Sequence, residues 1–238
     1  MGDDNTPSAM GDLLVRFITA VAMLGVSVIA LWMGGFFWVG FVVLIVGLVL
    51  WEWNEIVSKF GISPASEVAW LFMGTLYVAA AALAMVQVRT TYDMWTVLFA
   101  FIAPIVAVDV GAYFAGRLLG GPKIAPWISP SKTWAGLLGG AIAASLVAIA
   151  VEMFDIVPGM QRGYTMSGLG LAILSGTLIA IIAQAGDFFE SWMKRRAGVK
   201  DSSKLLPGHG GVFDRLDGFI AVFFVLFLIA VVPLYLGR

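Results

Sequence analysis

Residues 17–51 contain no charged side chain, which makes an uninterrupted uncharged stretch of 35 positions. A helix needs only about 20 apolar residues to cross the hydrocarbon core of a bilayer. The stretch is therefore too long for one ordinary span. Gly34 and Gly35 lie at its middle, where a tight turn can form. We expect two transmembrane helices here, near 13–33 and 36–57.

The rest of the chain continues this pattern. Hydrophobic residues make up 61% of the sequence and charged residues 12%, which excludes a soluble globular domain. Unpaired backbone groups are not tolerated in lipid, so the spans should be helices. The sequence predicts an all-α, polytopic integral membrane protein with about seven transmembrane helices, in a range of six to eight, forming one domain over 1–238. Five further spans are expected near 67–87, 94–116, 134–153, 166–190 and 217–236.

The basic residues predict the orientation of these helices. With seven spans, 11 of the 14 Lys and Arg residues fall on the side that holds the N-terminus and the loops after helices 2, 4 and 6. The other side holds Arg89, Arg162 and Arg238. Cytoplasmic loops of membrane proteins carry the excess of positive charge. We therefore expect a multi-pass protein of the inner (plasma) membrane whose polar site faces the cytoplasm.

Charge is concentrated in the segment 191–217. Its 27 positions include six basic residues, three aspartates and the only histidine of the chain. Such a segment at a membrane surface is suited to an anionic ligand. The chain has no cysteine, and one histidine argues against zinc, so any metal here should be a hard cation held by carboxylates. The alternative is that the basic run only anchors a helix at the surface.

Carboxylates flank this segment on two predicted helices. Asp187 and Ser191 are four residues apart and share a helix face, and Asp214 and Asp217 share a face at the start of the last helix. Magnesium binds one or two protein carboxylates and completes its shell with water and phosphate. The pattern therefore indicates a divalent cation between two helices, with basic residues neutralising the remaining phosphate charge.

A second polar region lies in the middle of the chain. Asp109 is an ionisable residue inside the fourth span, which by default marks a functional position. Ser129, Lys132 and Thr133 precede helix 5, whose N-terminus can bind an anion. The alternatives are that Asp109 makes only a hydrogen bond between helices, for example to Arg117, and that the hydroxyls are ordinary N-caps.

These residues resemble the phosphatidate cytidylyltransferase (CDP-diacylglycerol synthase) family. The family signature is similar to S-x-x-K-R-x4-K-D-x-S-x2-L-P-x-H-G-G-x2-D-R-x-D. The positions that match it are Ser191, Lys194, Arg195, Lys200, Asp201, Ser203, Leu206, Pro207, His209, Gly210, Gly211, Asp214, Arg215 and Asp217. The upstream element D-x-x-A-Y-x-x-G-R, from Asp109 to Arg117, and the ISPSKTWAG loop also resemble the family. The loop departs from it at Ser131, where Lys is frequent, and at Ala135, where Glu is usual.

The resemblance implies the reaction of CTP with phosphatidate to give CDP-diacylglycerol and diphosphate in phospholipid biosynthesis, with Mg²⁺ and room for a second cation. It assigns metal binding to Asp187 and Asp214, supported by Ser191 and Asp217. The catalytic group that it implies is Asp187, Asp214, Lys194, Lys200, Asp201, His209 and Arg215. The substrate-binding group is Lys132, Arg117, Asp109, Ser129, Thr133, Ser191, Gly210 and Gly211. Residues 94–238 would form the catalytic part, and 1–93 are helices of little motif content.

The expected partners are CTP, phosphatidate and the lipid bilayer, without nucleic acid, and a homo-oligomer is compatible with the sequence. One alternative is a related nucleotidyltransferase with a different lipid acceptor. A CDP-alcohol phosphotransferase also uses aspartate pairs, but its D-G-x2-A-R motif with two further aspartates downstream is not present. A membrane transporter would spread its polar residues over several positions near the middle of the membrane, whereas here they gather at one side.

Overall fold

Long helices form the part of the chain that the computed structural model describes, residues 9–157 and 166–231. They are α1 (Ala9–Met33), α2 (Gly35–Val57), α3 (Pro64–Thr91), α4 (Met94–Leu118), α5 (Trp134–Met153), α6 (Met166–Arg196) and α7, which begins at Phe213 and is described to Val231. Six of them, α1 to α6, are long and apolar enough to cross a membrane. This confirms the all-α, multi-pass fold class. Positions 232–236 of the predicted seventh span lie outside the described residues.

The helices pack side by side in the order α1, α2, α3, α7, α6, α5, α4. The last helix of the sequence therefore lies between α3 and α6 and joins the two halves of the bundle. The contacts between α4 and α5 are especially close because glycines face the partner backbone. A Cβ atom on Gly136 would lie 3.1 Å from the carbonyl oxygen of Ala112, and one on Gly140 would lie 2.9 Å from that of Val108. Gly136 and Gly140 form a GxxxG pair, a spacing that lets two helix backbones approach closely.

Side-chain caps determine where several helices begin. Ser63 accepts a hydrogen bond from the amide of Ser66 (3.3 Å), so α3 begins at Pro64, three residues before the predicted 67. Asp93 caps α4 in the same way. The hydroxyl of Thr96 and the amides of Thr96 and Trp95 donate to it, which lowers the pKa of this carboxyl.

The hairpin between α1 and α2 turns at Gly34, as predicted. Gly34 has a φ of +62°, a conformation that strongly favours glycine. The guanidinium of Arg89 lies against it and donates from Nε to the carbonyl oxygen of Leu31 (2.9 Å). At the same end of the bundle Thr96 donates to the carbonyl oxygen of Ile156 (3.1 Å). These contacts place the turns after α1, α3 and α5 together, as the predicted topology requires.

The opposite end of the bundle collects the loops after α2, α4 and α6. Arg195, near the end of α6, donates to the carbonyl oxygen of Ile128 in the loop after α4 (3.3 Å). Glu52, near the end of α2, accepts from the amide of Phe213 at the start of α7 (2.7 Å). The α6 helix extends to Arg196, six residues beyond the predicted 190, so the first basic residues of the charged segment are helical.

Candidate functional site

Three aspartates from three helices and one lysine lie together at this charged end, and we call them the acidic cluster: Asp109 of α4, Asp187 of α6, Asp217 of α7 and Lys132 of the loop before α5. Lys132 forms an ion pair with Asp187. Asp217 is close enough to Asp187, Asp109 and Lys132 to interact electrostatically with each of them. The structure thus brings together residues that are more than 100 positions apart in the sequence.

The acidic cluster has more negative than positive charge. Three carboxylates share one ammonium group, and the side chains of Asp187 and Lys132 are 25% and 23% exposed, so water screens them only in part. The hydroxyl of Ser191 donates to Asp187 (3.3 Å), as expected for positions four apart on a helix. Within residues 9–157 and 166–231 no three carboxylates or histidines are close enough to ligate one ion together. Magnesium needs only one or two protein carboxylates, so the donor set fits that ion.

A second group of charged side chains lies one turn further along α6, and we call it the Lys194 network: Glu190, Lys194 and Asp214. The Nζ atom of Lys194 lies 2.5 Å from Glu190 Oε2 and 2.5 Å from Asp214 Oδ1. All three side chains are largely buried, with exposures of 1%, 12% and 6%. Burial makes charges costly unless they are paired, and here Lys194 is the one ammonium group between two carboxylates.

Both carboxylate oxygens of Asp214 already accept hydrogen bonds in this arrangement. Its Oδ1 atom binds Lys194, and its Oδ2 atom accepts from the amide of Ser202 (2.9 Å) and from the amide of Gly211 (2.7 Å). Asp217, three residues later, accepts from the adjacent amide of Gly218 (2.7 Å) and lies in the acidic cluster. The structure therefore groups Asp187 with Asp217 and places Asp214 in a different network.

Glu52 is a site residue that the sequence reading did not single out. Its carboxylate is completely buried and accepts hydrogen bonds from the segment between α6 and α7, at Ser202, Ser203, Val212 and Phe213. It is the first charged residue after 35 uncharged positions. An ionisable residue at the end of a span is a signal for function, and it could have identified Glu52.

The remaining residues of the charged segment differ in their surroundings. Lys200 and Asp201 are exposed, and Arg215 donates twice to the carbonyl oxygen of His209, at 3.0 and 2.7 Å. The Nδ1 atom of His209 is buried and has no hydrogen-bond partner among the described residues. Gly210 has a φ of +81°. Together these contacts fold the segment into a tight turn that ends at the first turn of α7.

The loop before α5 lies beside the acidic cluster. Thr133 caps α5 by accepting from the amide of Gly136 (3.0 Å), and Ser129 is buried with its hydroxyl 3.5 Å from that of Ser131. The N-terminus of α5 follows Lys132 directly. Arg117 is exposed and donates to the hydroxyl of Tyr113 (2.8 Å) on the same helix.

A cavity of about 530 Å³ lies between α2, α3, α6 and α7 on the membrane side of this site. Its walls are almost entirely apolar. Gly186, which precedes Asp187, lines it, and so does Tyr77, which is close enough to Asp217 to interact with it electrostatically. The cavity therefore adjoins the acidic cluster, and its volume lies within the range of about 300–1,000 Å³ that is usual for ligand sites.

Comparison with known proteins gives consistent matches over this architecture. Residues 63–232 match the model of the cytidylyltransferase family. A protein of Brucella suis named phosphatidate cytidylyltransferase is 34% identical, with 92% of this chain and 93% of that protein aligned. One of the same name from Rickettsia bellii is 32% identical over 92% of this chain and 90% of its own length. A third, from Haemophilus influenzae, is 44% identical over 55% of this chain and 43% of its own length.

Proposed function

This chain belongs to the cytidylyltransferase family, and we propose that its acidic cluster is the centre at which a cytidylyl group passes from CTP to phosphatidate. The protein is a membrane-bound nucleotidyltransferase that makes CDP-diacylglycerol and releases diphosphate. The observation that carries the assignment of the centre is the convergence of Asp109, Asp187 and Asp217 beside Lys132 at the charged end of the bundle.

Asp187 and Asp217 would hold a magnesium ion, with the hydroxyl of Ser191 beside them. Both carboxylates are hard oxygen donors, and Lys132 offsets part of their mutual repulsion. Asp214 is less suited to this role because its two oxygens already accept from Lys194, Ser202 and Gly211. When bound, the ion would neutralise phosphate charge and polarise the phosphorus–oxygen bonds of CTP.

The reaction needs little proton transfer from the protein. The second pKa of a phosphate monoester is about 6, so the attacking oxygen of phosphatidate is already deprotonated near neutral pH. This oxygen forms a bond to the α-phosphorus of CTP, and the bond from that phosphorus to the diphosphate oxygen breaks. The task of the side chains is to bring two polyanions together, because their repulsion opposes the attack.

Basic groups around the acidic cluster are placed for this task. Lys132 pairs with Asp187 and directly precedes α5, whose N-terminus carries a partial positive charge. Arg215 acts electrostatically on Asp109. Lys200 is exposed on the same end of the bundle and supplies further positive charge. The role proposed for His209 is a hydrogen bond to phosphate rather than that of a base.

The apolar cavity is suited to an acyl chain of the lipid substrate. It is lined by hydrophobic side chains and adjoins Asp217 through Tyr77. A phosphatidate molecule whose chain enters between α3 and α6 would present its phosphate to the acidic cluster. The hydrophobic effect favours this placement, and the lipid need not leave the bilayer.

The orientation proposed for the site is cytoplasmic, in the inner membrane. Eleven of the 14 basic residues lie at the end of the bundle that contains the acidic cluster, and the positive-inside rule places that end in the cytoplasm. CTP would then reach the site from the compartment in which nucleotides are made.

One assay tests the proposed function. Purified protein is incubated with phosphatidate and each of the four nucleoside triphosphates, and the lipid product and diphosphate are measured. We expect a lipid-linked nucleotide with CTP and none above background with GTP. Turnover that is absent with phosphatidate but present with another phospholipid would contradict the acceptor and leave a related nucleotidyltransferase.

A further inference from the structure

Glu52 connects the N-terminal half of the chain to the charged segment. Its Oε1 atom accepts from the hydroxyl of Ser203 (2.6 Å) and the amide of Val212 (2.9 Å). Its Oε2 atom accepts from the amide of Phe213 (2.7 Å) and lies 3.0 Å from the hydroxyl of Ser202. We propose that Glu52 is a positioning residue that holds segment 202–213 in the conformation that receives substrate phosphate. The inference rests on the proposed function.

A carboxylate in this place is strongly constrained. Glu52 is 0% exposed, and an isolated buried charge is very unfavourable unless donors surround it. Two of its donors are the first amides of α7, a helix whose N-cap residue Val212 provides no side-chain cap of its own. The helix N-terminus carries a partial positive charge. Glu52 therefore acts as the cap of α7, supplied by a helix about 160 residues earlier in the chain.

The segment is folded around two buried carboxylates at once. The Ser202 hydroxyl lies 3.0 Å from Glu52 Oε2 and 3.0 Å from Asp214 Oδ2, and its single proton can serve only one of them at a time. Gly211 passes directly over Glu52, because a Cβ atom there would lie 2.5 Å from Oε1. The amide of Gly211 donates to Asp214 (2.7 Å). Glu52 and Asp214 thus both hold the same stretch of backbone.

This stretch leads into the groups that would meet phosphate. Gly210 and Gly211 are at its end, and Arg215 follows in the first turn of α7, anchored on the carbonyl oxygen of His209. Loss of the Glu52 contacts would displace the start of α7 and with it Arg215 and Asp217. Small displacements matter because a misplacement of about 1 Å can reduce a rate by about a hundredfold.

The test compares Glu52→Gln with Glu55→Gln on the same helix. Glu52→Gln replaces one accepting oxygen by an NH₂ group, which cannot accept a hydrogen bond from the backbone amides that face it. We therefore expect kcat per folded molecule to fall about tenfold to a hundredfold and KM for CTP to rise. Within the described residues Glu55 is partly exposed and its backbone carbonyl, not its side chain, accepts a hydrogen bond, so its variant should stay within about twofold of the wild type. A purely structural role would reduce the yield of folded enzyme but leave both constants unchanged.

A cysteine probe reports on the segment directly. The chain has no cysteine, so Lys204→Cys gives a single exposed thiol in the segment. We expect Glu52→Gln to alter the alkylation rate of this thiol. We also expect CTP to protect the thiol more in the protein that keeps Glu52 than in the protein that carries Glu52→Gln. If Glu52→Gln does not fold, Ser203→Ala is the substitute variant. It removes the shortest of the four contacts of the Glu52 carboxylate, and kcat should fall about threefold to tenfold.

Unchanged kcat, KM and alkylation in the folded variants would overturn the inference while the proposed function stands. Absence of the reaction in the wild type would instead overturn the proposed function. The alkylation rates alone would then decide whether Glu52 orders the segment.

Discussion

Asp214 and Asp217 lie three residues apart on α7 but differ in their partners. Asp214 is 6% exposed and binds Lys194 together with two backbone amides. Asp217 lies among the carboxylates of the acidic cluster. Removing the charge of these two residues should therefore have different consequences for stability, although both lie in the same charged segment.

Asp217→Asn should abolish turnover without unfolding the protein. The change relieves repulsion from Asp187 and Asp109, so the melting temperature in detergent should stay equal or rise. We expect activity to fall at least about a hundredfold, because a catalytic cation contributes several kcal/mol. Magnesium should raise the melting temperature of the wild type and not that of the variant. Near-normal turnover at limiting magnesium would contradict the assignment, and EDTA should inhibit the wild type.

Asp214→Asn should act mainly on stability. An amide cannot accept all the hydrogen bonds that Lys194, Ser202 and Gly211 donate to the carboxylate, and a buried donor left without a partner costs about 1–3 kcal/mol. The melting temperature should fall markedly, with activity falling in parallel. A variant that is as stable as the wild type but has lost its magnesium-dependent stabilisation would show instead that Asp214 is a metal ligand.

Lys132→Ala tests the cation of the acidic cluster. We expect turnover to fall or the CTP requirement to rise about tenfold or more, because a hydrogen bond to a charged group contributes roughly 1.5–3 kcal/mol. Lys123→Ala is the matched control: Lys123 is an exposed residue of the same loop whose Nζ atom lies 3.5 Å from the carbonyl oxygen of Ser131. Equal kinetics in the two variants would mean that the ion pair of Lys132 with Asp187 has no part in turnover.

At the scale of helices, the sequence predicted most of the architecture because hydropathy is a local property. The turn at Gly34 and the spans of α2, α4 and α5 follow from apolar runs and their breaks. The structure begins α3 before the predicted residue because Ser63 caps the helix. It ends α6 after the predicted residue because the helix continues into the basic residues that follow 190. Hydropathy carries no information on either effect.

The site was predictable only in part, for the same reason. Spacing on a helix predicted the contact of Asp187 with Ser191, which the structure has at 3.3 Å. The partners of Asp214 and Glu52 come from other helices, and Ser202 reaches Glu52 across 150 positions. Contacts between residues so far apart in the sequence depend on how the helices pack, which no local sequence pattern specifies. The sequence therefore identified the residues near the site but not their grouping.

The cavity beside α6 gives a prediction for this helix. Ala185→Phe places a ring in the cavity, so turnover of long-chain phosphatidate should fall about tenfold while that of a short-chain analogue is retained. Leu178→Phe is the control, two turns earlier on the same face and exposed. An equal loss with both substrates would show that the ring disturbs the site rather than the acyl chain.

For the whole molecule, the distribution of contacts and charges predicts the topology. Lys204→Cys should react in intact cells only with reagents that enter the cytoplasm, and Thr91→Cys, at the other end of the bundle, should react from outside. Both side chains are exposed, so neither substitution disturbs packing. Labelling of Cys at 204 by an impermeant reagent in intact cells would reverse the orientation.

The position of α7 between α3 and α6 has a consequence for biosynthesis. During translation α3 and α6 enter the membrane before the helix that separates them exists, so they cannot yet take their final places. Glu52 has been in the membrane since the second helix was inserted, but its amide donors at Val212 and Phe213 arrive only near the end of synthesis. Assembly of the site is therefore a post-insertional step, and a ribosome-bound chain that ends before α7 should be a substrate for membrane quality control.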